Sequence, residues 1–445
     1  MNFNGVGKAK AEGDETVFHT SLFGANPAKT ATLPRATNSF AESDVSLSLP
    51  DLVCLSHLRW DFVYQRPQHL LSRFARERRV FFIEEPLFGD NLPQLEISRR
   101  ACGVWVVVPH LPSGLNEAEV AALQQALLQD ELFLEYAIND YLLWYYTPMA
   151  LSFTRHLEPL AVVYDCMDEL SAFKNAPASL KRRETELLAQ ADLVFTGGHS
   201  LYEAKCHLHA NVHAFPSSID VPHFHQARHL PEPAELASLP HPRLGYCGVI
   251  DERMDRELLA GLAEARPEWQ FIMLGPIVKI DPAELPQRAN IHYLGGKPYE
   301  ELPAYLSGWD LALLPFAHNE STRFISPTKT PEYLAAGLPA ISTSIRDVVH
   351  PWGELGLVKI ADTVAEFMAA AEALLSTDFD RRQWQRQVDE TLAINSWDRT
   401  WARMAHLVNR VVQERYPDLV AANIIPAASV SNLSRVVSLS PVTGD

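Results

Sequence analysis

The 445-residue sequence has few cysteines and an excess of acidic over basic residues. Its five cysteines are scattered without Cys-x-x-Cys spacing, which argues against a zinc site and a disulfide framework. Most of them lie in apolar, strand-like runs, so we expect buried free thiols. Lysine and arginine number 38 against 55 acidic residues, for a net charge of −17. That charge argues against a nucleic-acid partner, because phosphate backbones select basic surfaces.

Long hydrophobic runs are also missing. No run approaches the roughly 18 apolar residues of a membrane span. The first 50 residues lack the continuous apolar core of a signal peptide. We therefore expect a disordered leader over residues 1–50 and a cytoplasmic protein, with peripheral contact at the cytoplasmic face of the membrane as an alternative. No Asp-x-Asp pair stands in a context that suits a metal ion, so we expect neither a metal nor a cofactor.

From residue 51 onward, short apolar runs alternate with amphipathic stretches of helical period. Buried runs of four or five residues between turn residues indicate parallel sheets with helices on both faces. In the first half the predicted strands are Leu52–Leu55, Val80–Ile83, Val104–Val108, Ala161–Tyr164, Leu193–Thr196 and Val212–Phe215. In the second half they are Leu244–Val249, Phe271–Leu274, Ile291–Leu294, Leu311–Leu314 and Ala340–Thr343.

Two successive series of this kind predict an α/β chain of two Rossmann-like, doubly wound domains that face each other across a cleft. The predicted divisions are an N-terminal domain over residues 51–222, a Pro-rich linker over 223–242, a C-terminal domain over 243–392, a final helix over 393–416 and a flexible tail over 417–445. Ligands of such sheets bind beyond the carboxyl ends of the strands. We therefore expect the functional site in the cleft.

One segment, Ser326–Ile341, carries the strongest chemical pattern, with Lys329 and Glu332 three residues apart at the predicted start of a short helix. Unpaired N–H groups and the helix dipole favour an anion there, and the lysine adds a full charge. The glutamate can accept two hydroxyl hydrogen bonds. The pair therefore suits a sugar nucleotide, with pyrophosphate at the helix start and the ribose diol at the carboxylate. A solvated salt bridge is the alternative interpretation.

A second segment opens the second predicted domain, where Gly248 ends the strand and Arg253 precedes a helix. The glycine would let the backbone approach a phosphate closely, and the arginine could neutralise pyrophosphate. An ordinary turn is the alternative for a lone glycine at a strand end.

The Ser326–Ile341 segment closely resembles the donor-site motif of the retaining glycosyltransferases of the large group 1 family, which have the GT-B fold. Further segments follow in that family's order, and they are Phe215–Phe224, Phe271–Pro276, Asn290–Gly296 and Ser396–Asp398, the last at the start of a helix that packs back onto the first domain in the family. The resemblance implies a UDP- or GDP-linked sugar as donor. The implied catalytic residues are Arg253, Lys329 and Glu332, and the implied donor-binding residues are Gly248, Gly275, Leu294, Ser326 and Thr328.

Two segments of the N-terminal domain, His57–Leu70 and Tyr164–Glu169, resemble a bacterial subgroup associated with cell-surface polysaccharide synthesis. The acceptor-side candidates are His57, Trp60, Gln65, Arg66, Asp165, Asp168 and His199. The tryptophan could stack on a sugar or simply pack, and Gln65 and Arg66 could bind hydroxyls or a phosphate. The two aspartates either orient the acceptor or cap the next helix. The histidine at position 199 is either structural or catalytic.

One position departs from the family. Members commonly carry a glutamate where this chain has Phe324, and Glu320 is the nearest substitute. The resemblance implies transfer of a sugar, with retention, from a nucleoside-diphosphate sugar to a glycan or lipid-linked acceptor in polysaccharide biosynthesis. The leaving phosphate would take the acceptor proton. Two alternatives stay open, a hydrolysing sugar-nucleotide epimerase of the same fold and a catalytically degenerate GT-B protein that scaffolds an assembly complex.

Overall fold

The computed structural model of the protein describes residues 49–90, 92–173 and 176–417. The predicted leader, apart from its last two residues, and the predicted tail beyond residue 417 lie outside these ranges. Within them, the first sheet comprises β1 (Asp51–Leu55), β2 (Val80–Ile83), β3 (Leu87–Gly89), β4 (Gln94–Arg99), β5 (Trp105–Pro112), β6 (Tyr141–Tyr145), β7 (Ala161–Cys166), β8 (Leu193–Thr196) and β9 (Val212–Ala214). The α-helices of this half are α1 (Arg66–Phe74), α2 (Glu117–Leu127), α3 (Leu151–Thr154), α4 (Leu180–Gln190), α5 (His199–Lys205), α6 (Val221–His225) and α7 (Ala234–Ala237).

The second sheet is formed by β10 (Arg243–Cys247), β11 (Gln270–Leu274), β12 (Ile291–Gly295), β13 (Leu311–Leu314), β14 (Ala340–Ser342) and β15 (Val358–Ile360). Its helices are α8 (Arg256–Ala265), α9 (Leu302–Ser307), α10 (Lys329–Ala335), α11 (Arg346–Val348), α12 (Val364–Leu375) and α13 (Arg381–Leu392), and the chain continues into α14 (Trp397–Arg415).

Both sheets are doubly wound. The first runs in the order β3-β5-β2-β1-β6-β7-β8-β9 with β4 antiparallel on β5, and the second runs β12-β11-β10-β13-β14-β15 with all strands parallel. The strand order changes direction beside β1 and beside β10. At such switch points, the loops that follow two neighbouring strands run to opposite faces of the sheet and leave a crevice between them. The predicted architecture of two Rossmann-like domains is confirmed.

Strand β6 was not predicted, although it lies between β1 and β7 at the centre of the first sheet. All five of its residues are buried, as in β1, but no glycine or proline stands between α2 and this strand to mark where the helical pattern ends. The prediction also ended β7 too early, since Asp165 lies inside that strand and does not follow it.

The final helix packs against the N-terminal domain. Met404 and Val408 of α14 belong to the same buried cluster as Leu70 of α1 and Trp144 of β6. The predicted return of this helix to the first domain is therefore confirmed. The segment predicted as a linker, residues 223–242, contains α7 and buries Leu236 in the core of the second domain.

Among the described residues, no helix combines the length and the apolar character needed to cross a bilayer. All five cysteines are free thiols. Three are buried, Cys54, Cys166 and Cys247, and two are exposed, Cys102 and Cys206.

We predict that Gly245→Ala destabilises the C-terminal domain. A Cβ at this position of β10 would lie 2.1 Å from a ring carbon of Trp309, so the buried indole would have to shift. Overpacking of this kind costs about 1–3 kcal/mol, measurable as a lower midpoint of denaturant unfolding. Gly89→Ala is the matched control, because no atom lies within 4 Å of its added Cβ. Equal midpoints for the two variants would contradict the prediction.

Candidate active site

The carboxyl ends of the two sheets face each other across a cleft of about 670 Å³. Nine of the predicted site residues line it, six from the C-terminal domain and three from the N-terminal domain. These are Gly248, Arg253, Gly275, Ser326, Thr328 and Lys329, and Trp60, Gln65 and Asp168. The remaining six do not line the cleft in this structure, and they are Glu332, Leu294, His57, Arg66, Asp165 and His199.

Lys329 and Glu332 form an ion pair on the first turn of α10. The lysine Nζ donates to Glu332 Oε2 at 2.6 Å, and the two side chains are only 21% and 12% exposed. Burial raises the pKa of Glu332 even though the lysine opposes it. Burial would lower the pKa of Lys329, but the carboxylate outweighs it and raises that pKa. This is therefore a largely buried pair at the edge of the cleft and not a solvated surface bridge.

Tyr333 fixes this pair relative to the second sheet. Its hydroxyl accepts from the N–H of Cys247 at 2.7 Å and donates to the Cys247 carbonyl at 3.3 Å. The ring is fully buried and is next in the chain to Glu332. Because both backbone groups of Cys247, at the end of β10, bond to Tyr333, α10 is held in a fixed position relative to the loop that follows that strand.

The two cleft glycines touch each other. The backbone of Gly275 has a φ of +150°, and a Cβ there would lie 1.8 Å from the carbonyl oxygen of Gly248. The N–H of Gly248 donates to the Leu274 carbonyl at 2.9 Å, and that of Gly275 donates to Gly295. Close backbone approach therefore explains the glycine at position 275 without any ligand.

Arg253 extends from the β10–α8 loop towards the N-terminal domain. Its guanidinium forms a two-pronged pair with Asp251, with Nη2–Oδ2 at 2.7 Å and Nε–Oδ1 at 2.9 Å. It also lies over the ring of Phe173, 5.7 Å from the ring centre. Burial would lower the pKa of Arg253, but Asp251 raises it well above the ordinary value. The arginine thus keeps its charge and spans the two domains.

Arg66 and Asp165 form an internal ion pair beneath the cleft. Arg66 Nη2 donates to Asp165 Oδ1 at 2.8 Å, and Nη1 donates to the carbonyl of Phe215 at 2.6 Å. The side chains are 1% and 0% exposed. The pair ties α1 to β7 and to the chain after β9, so the geometry gives both residues structural partners and leaves Asp168 as the aspartate that faces the cleft.

Asp168 lines the N-terminal wall of the cleft, where the charge of Arg253 acts on it. Burial raises the pKa of its carboxyl to about 6, although the charges of Arg253 and Arg66 oppose that change. A group with such a pKa changes charge close to neutral pH.

Two other N-terminal candidates at the cleft have packing or capping contacts. The ring of Trp60 is buried in the first core and packs edge-on against Phe82, with the ring centres 5.1 Å apart. Gln65 precedes α1, and its N–H donates to Gln68 Oε1 at 3.1 Å. These contacts match the packing alternative for Trp60.

Three of the candidates that do not line the cleft, His57, Leu294 and His199, have different surroundings. Burial lowers the pKa of His57 to about 4, so this imidazole is neutral at pH 7. Leu294 packs on the core of the C-terminal domain. The ring of His199 is exposed, while its N–H donates to Asp347 Oδ2 at 2.9 Å and the N–H of Ser200 donates to Oδ1 at 3.0 Å. A carboxylate of the C-terminal domain thus binds the first turn of α5.

Phe324 faces the N-terminal domain and not the main cleft. It packs against the N-terminal core and lines a second hollow of about 640 Å³, together with Glu320, Glu169 and Lys205. The residue that does line the main cleft here is Ile325.

Sequence reasoning missed three residues that build this site. Asp251 could have been found from its position two residues before Arg253, and Tyr333 lies inside the segment that carried the strongest pattern. Phe173 gave no local signal, because its contact with Arg253 joins residues 80 positions apart in different domains.

The comparisons with known proteins agree with this geometry. Residues 241–377 match the family described as Glycosyl transferases group 1. A relative from Bacillus subtilis, TuaH, whose assigned role is that of a glycosyltransferase in teichuronic acid biosynthesis, is 24% identical over 255 residues. That match covers 52% of this chain and 63% of the relative's length.

Solved structures share the fold. One is a structure from Escherichia coli described as trehalose-6-phosphate bound with UDP-2-fluoro glucose. Its TM-score is 0.62 at 14% identity, and the match covers 82% of this chain and 99% of that one. Sucrose-phosphate synthase from Thermosynechococcus elongatus also has a TM-score of 0.62, with 13% identity and coverage of 84% and 100%.

The two facing Rossmann-like domains have the GT-B fold, as predicted. The match of residues 241–377 to the group 1 glycosyltransferases agrees with the predicted resemblance. Neither the epimerase nor the scaffold alternative is favoured by these matches.

We predict that Asp165→Asn strongly destabilises the protein. It leaves Arg66 charged, buried and without its carboxylate partner, which costs about 3–5 kcal/mol in denaturant unfolding. Arg182→Gln is the control, because it removes an exposed partner of Glu186 and exposed pairs contribute about 0–1 kcal/mol. An Asp165→Asn variant as stable as this control would contradict a structural role.

A second prediction concerns Asp168 and pH. Its folded-state pKa of about 6 lies above the ordinary 3.8, so the folded protein binds a proton more tightly than the unfolded chain. Stability from this group is therefore complete below pH 3.8 and is lost as pH rises to about 6. Asp168→Asn removes this loss. The melting temperature of the variant should therefore exceed that of wild type by more at pH 7 than at pH 4. Asp61→Asn, at an exposed cleft position, is the control. An equal gain at both pH values would refute the prediction.

Proposed function

We propose that the protein transfers a sugar from a nucleoside-diphosphate sugar to a glycan or lipid-linked acceptor in polysaccharide biosynthesis, with retention at the anomeric carbon. The observation that carries this proposal is the Lys329–Glu332 pair, which α10 presents beside two touching glycine loops at the carboxyl edge of a parallel sheet. The relative assigned to teichuronic acid biosynthesis supports the polysaccharide context. A structure of the same fold that holds UDP-2-fluoro glucose supports a nucleotide sugar as donor.

Binding of the donor would replace the contact between Lys329 and Glu332 with contacts from each of them to the ligand. Glu332 accepts from Lys329 at 2.6 Å, so neither charge is without a partner in this largely buried site. A diphosphate at the start of α10 offers the lysine a second anion, and the ribose hydroxyls offer the carboxylate new donors. Ligands that carry both groups can replace the internal pair without leaving either partner unsatisfied.

The same groups would stabilise the reaction. As the bond between sugar and diphosphate breaks, negative charge grows on the phosphate oxygens. Arg253, Lys329 and the N–H groups at the start of α10 are fixed in place before that charge appears, which is the arrangement that lowers a barrier electrostatically. On the opposite wall, the carboxyl of Asp168 lines the cleft and would orient an acceptor hydroxyl. The leaving phosphate would take the proton of that hydroxyl.

We predict that Lys329→Ala and Glu332→Ala each weaken binding of the nucleoside diphosphate by at least about 1 kcal/mol, the scale of a charged hydrogen bond. The measurement is calorimetry with UDP, GDP and ADP. Lys359→Ala is the control, because this exposed lysine of β15 lies outside the cleft. If the two site variants bind as tightly as the control does, the donor site is elsewhere.

The reaction itself is tested by a screen of nucleotide sugars with a pool of lipid-linked acceptors. The expected result is a glycosylated product whose anomeric configuration, read by NMR, equals that of the donor. Inversion would refute retention. Release of free nucleoside diphosphate without acceptor, at rates that rival transfer, would identify the epimerase instead.

A further inference from the structure

Two neighbouring loops of the C-terminal sheet run together beyond the ends of their strands. Ile250, after β10, forms a parallel bridge with Ile277, after β11. The N–H of Ile250 donates to the Pro276 carbonyl at 2.9 Å, and the N–H of Val278 donates to the Ile250 carbonyl at 3.0 Å. The ladder therefore continues past the two touching glycines and carries the tips of both loops towards the N-terminal domain.

A cation stands at each tip, and both meet the same aromatic ring. Lys279 Nζ lies 4.5 Å from the centre of the Phe173 ring, and the Arg253 guanidinium lies 5.7 Å from it. Phe173 belongs to the N-terminal domain and is 5% exposed. Lys279 also has a φ of +64°, a left-handed backbone that costs a side-chain-bearing residue free energy and that gathers at functional sites.

Lys279 does not itself line the cleft, but its charge acts on Asp168, which does. The ammonium opposes the rise that burial causes in the pKa of Asp168, and it adds to the lowering that burial causes in the pKa of His57, two residues after β1. The charged groups that act on it in turn are Glu252, Asp251, Arg253 and Asp168. Burial first, and the charge of Arg253 in addition, lower the pKa of Lys279. An anion placed between the two cations would offset both effects.

Balancing the charge of a bound diphosphate requires a cation in addition to Arg253 and Lys329. The carboxylate of Asp251 matches Arg253, and that of Glu332 matches Lys329, so each pair has no net charge. The diphosphate of a sugar nucleotide carries more than one negative charge. On the basis of the proposed function, we propose that Lys279 binds the donor diphosphate together with Arg253, so that two adjacent loops clamp it beneath the ring of Phe173.

The test is calorimetry on full-length protein with UDP and GDP, and with uridine and guanosine as ligands without phosphate. We expect Lys279→Gln to weaken nucleoside diphosphate binding at least tenfold, as loss of a charged hydrogen bond does. Binding of the matching nucleoside should change less than twofold, and Lys279→Arg should recover most of the lost affinity. Lys359→Gln is the matched control lysine of the same domain, and it should bind every ligand as wild type does. Equal melting temperatures establish that the variants are folded.

The outcomes separate the two proposals. Wild-type protein that binds no nucleoside diphosphate would overturn both of them. Wild-type binding that Lys279→Gln retains within twofold would overturn the role of Lys279 and leave the proposed function standing. An equal loss of nucleoside and nucleoside diphosphate affinity would also overturn it, because a distorted loop would affect both ligands alike.

Discussion

The candidate site depends on how tightly three backbone segments meet at the end of β10. The carbonyl of Gly248 occupies the space that a side chain at position 275 would need, and the hydroxyl of Tyr333 bonds both backbone groups of Cys247. The position of α10 and the course of both glycine loops are thereby set together, so Arg253 and Lys329 line the same cleft from two separate segments of the chain.

Three ion pairs stand in and beneath the cleft, one carboxylate to each cation, and they are Arg66–Asp165, Arg253–Asp251 and Lys329–Glu332. They differ in access: the first pair is sealed within the N-terminal domain, whereas Arg253 and Lys329 border open space. The sealed pair maintains structure, whereas the proposed donor would replace the partners of a pair that borders the cleft.

The sequence was sufficient for the features that depend on local pattern. Strand and helix periodicity predicted two doubly wound domains, and the spacing of Lys329 and Glu332 predicted their place on one helical turn. It was not sufficient where the partner lies far away in the chain. Nothing local distinguishes Arg66, an internal partner of Asp165, from a ligand-binding arginine, or shows that Phe324 faces the N-terminal domain. Strand β6 was missed for a local reason, since no glycine or proline separates it from the helical pattern of α2.

In the contact between Asp347 and α5, only one of the two domains contributes a side chain. The C-terminal domain contributes a side chain, whereas the N-terminal domain contributes only the N–H groups of His199 and Ser200. Gly198 leaves the room that the carboxylate needs, because a Cβ there would lie 2.2 Å from Asp347 Oδ2. Every residue except proline has an N–H group, so the side chains at positions 199 and 200 are free to vary without loss of this contact. The contact of Asp347 with α5 therefore depends on one carboxylate and on the glycine that admits it.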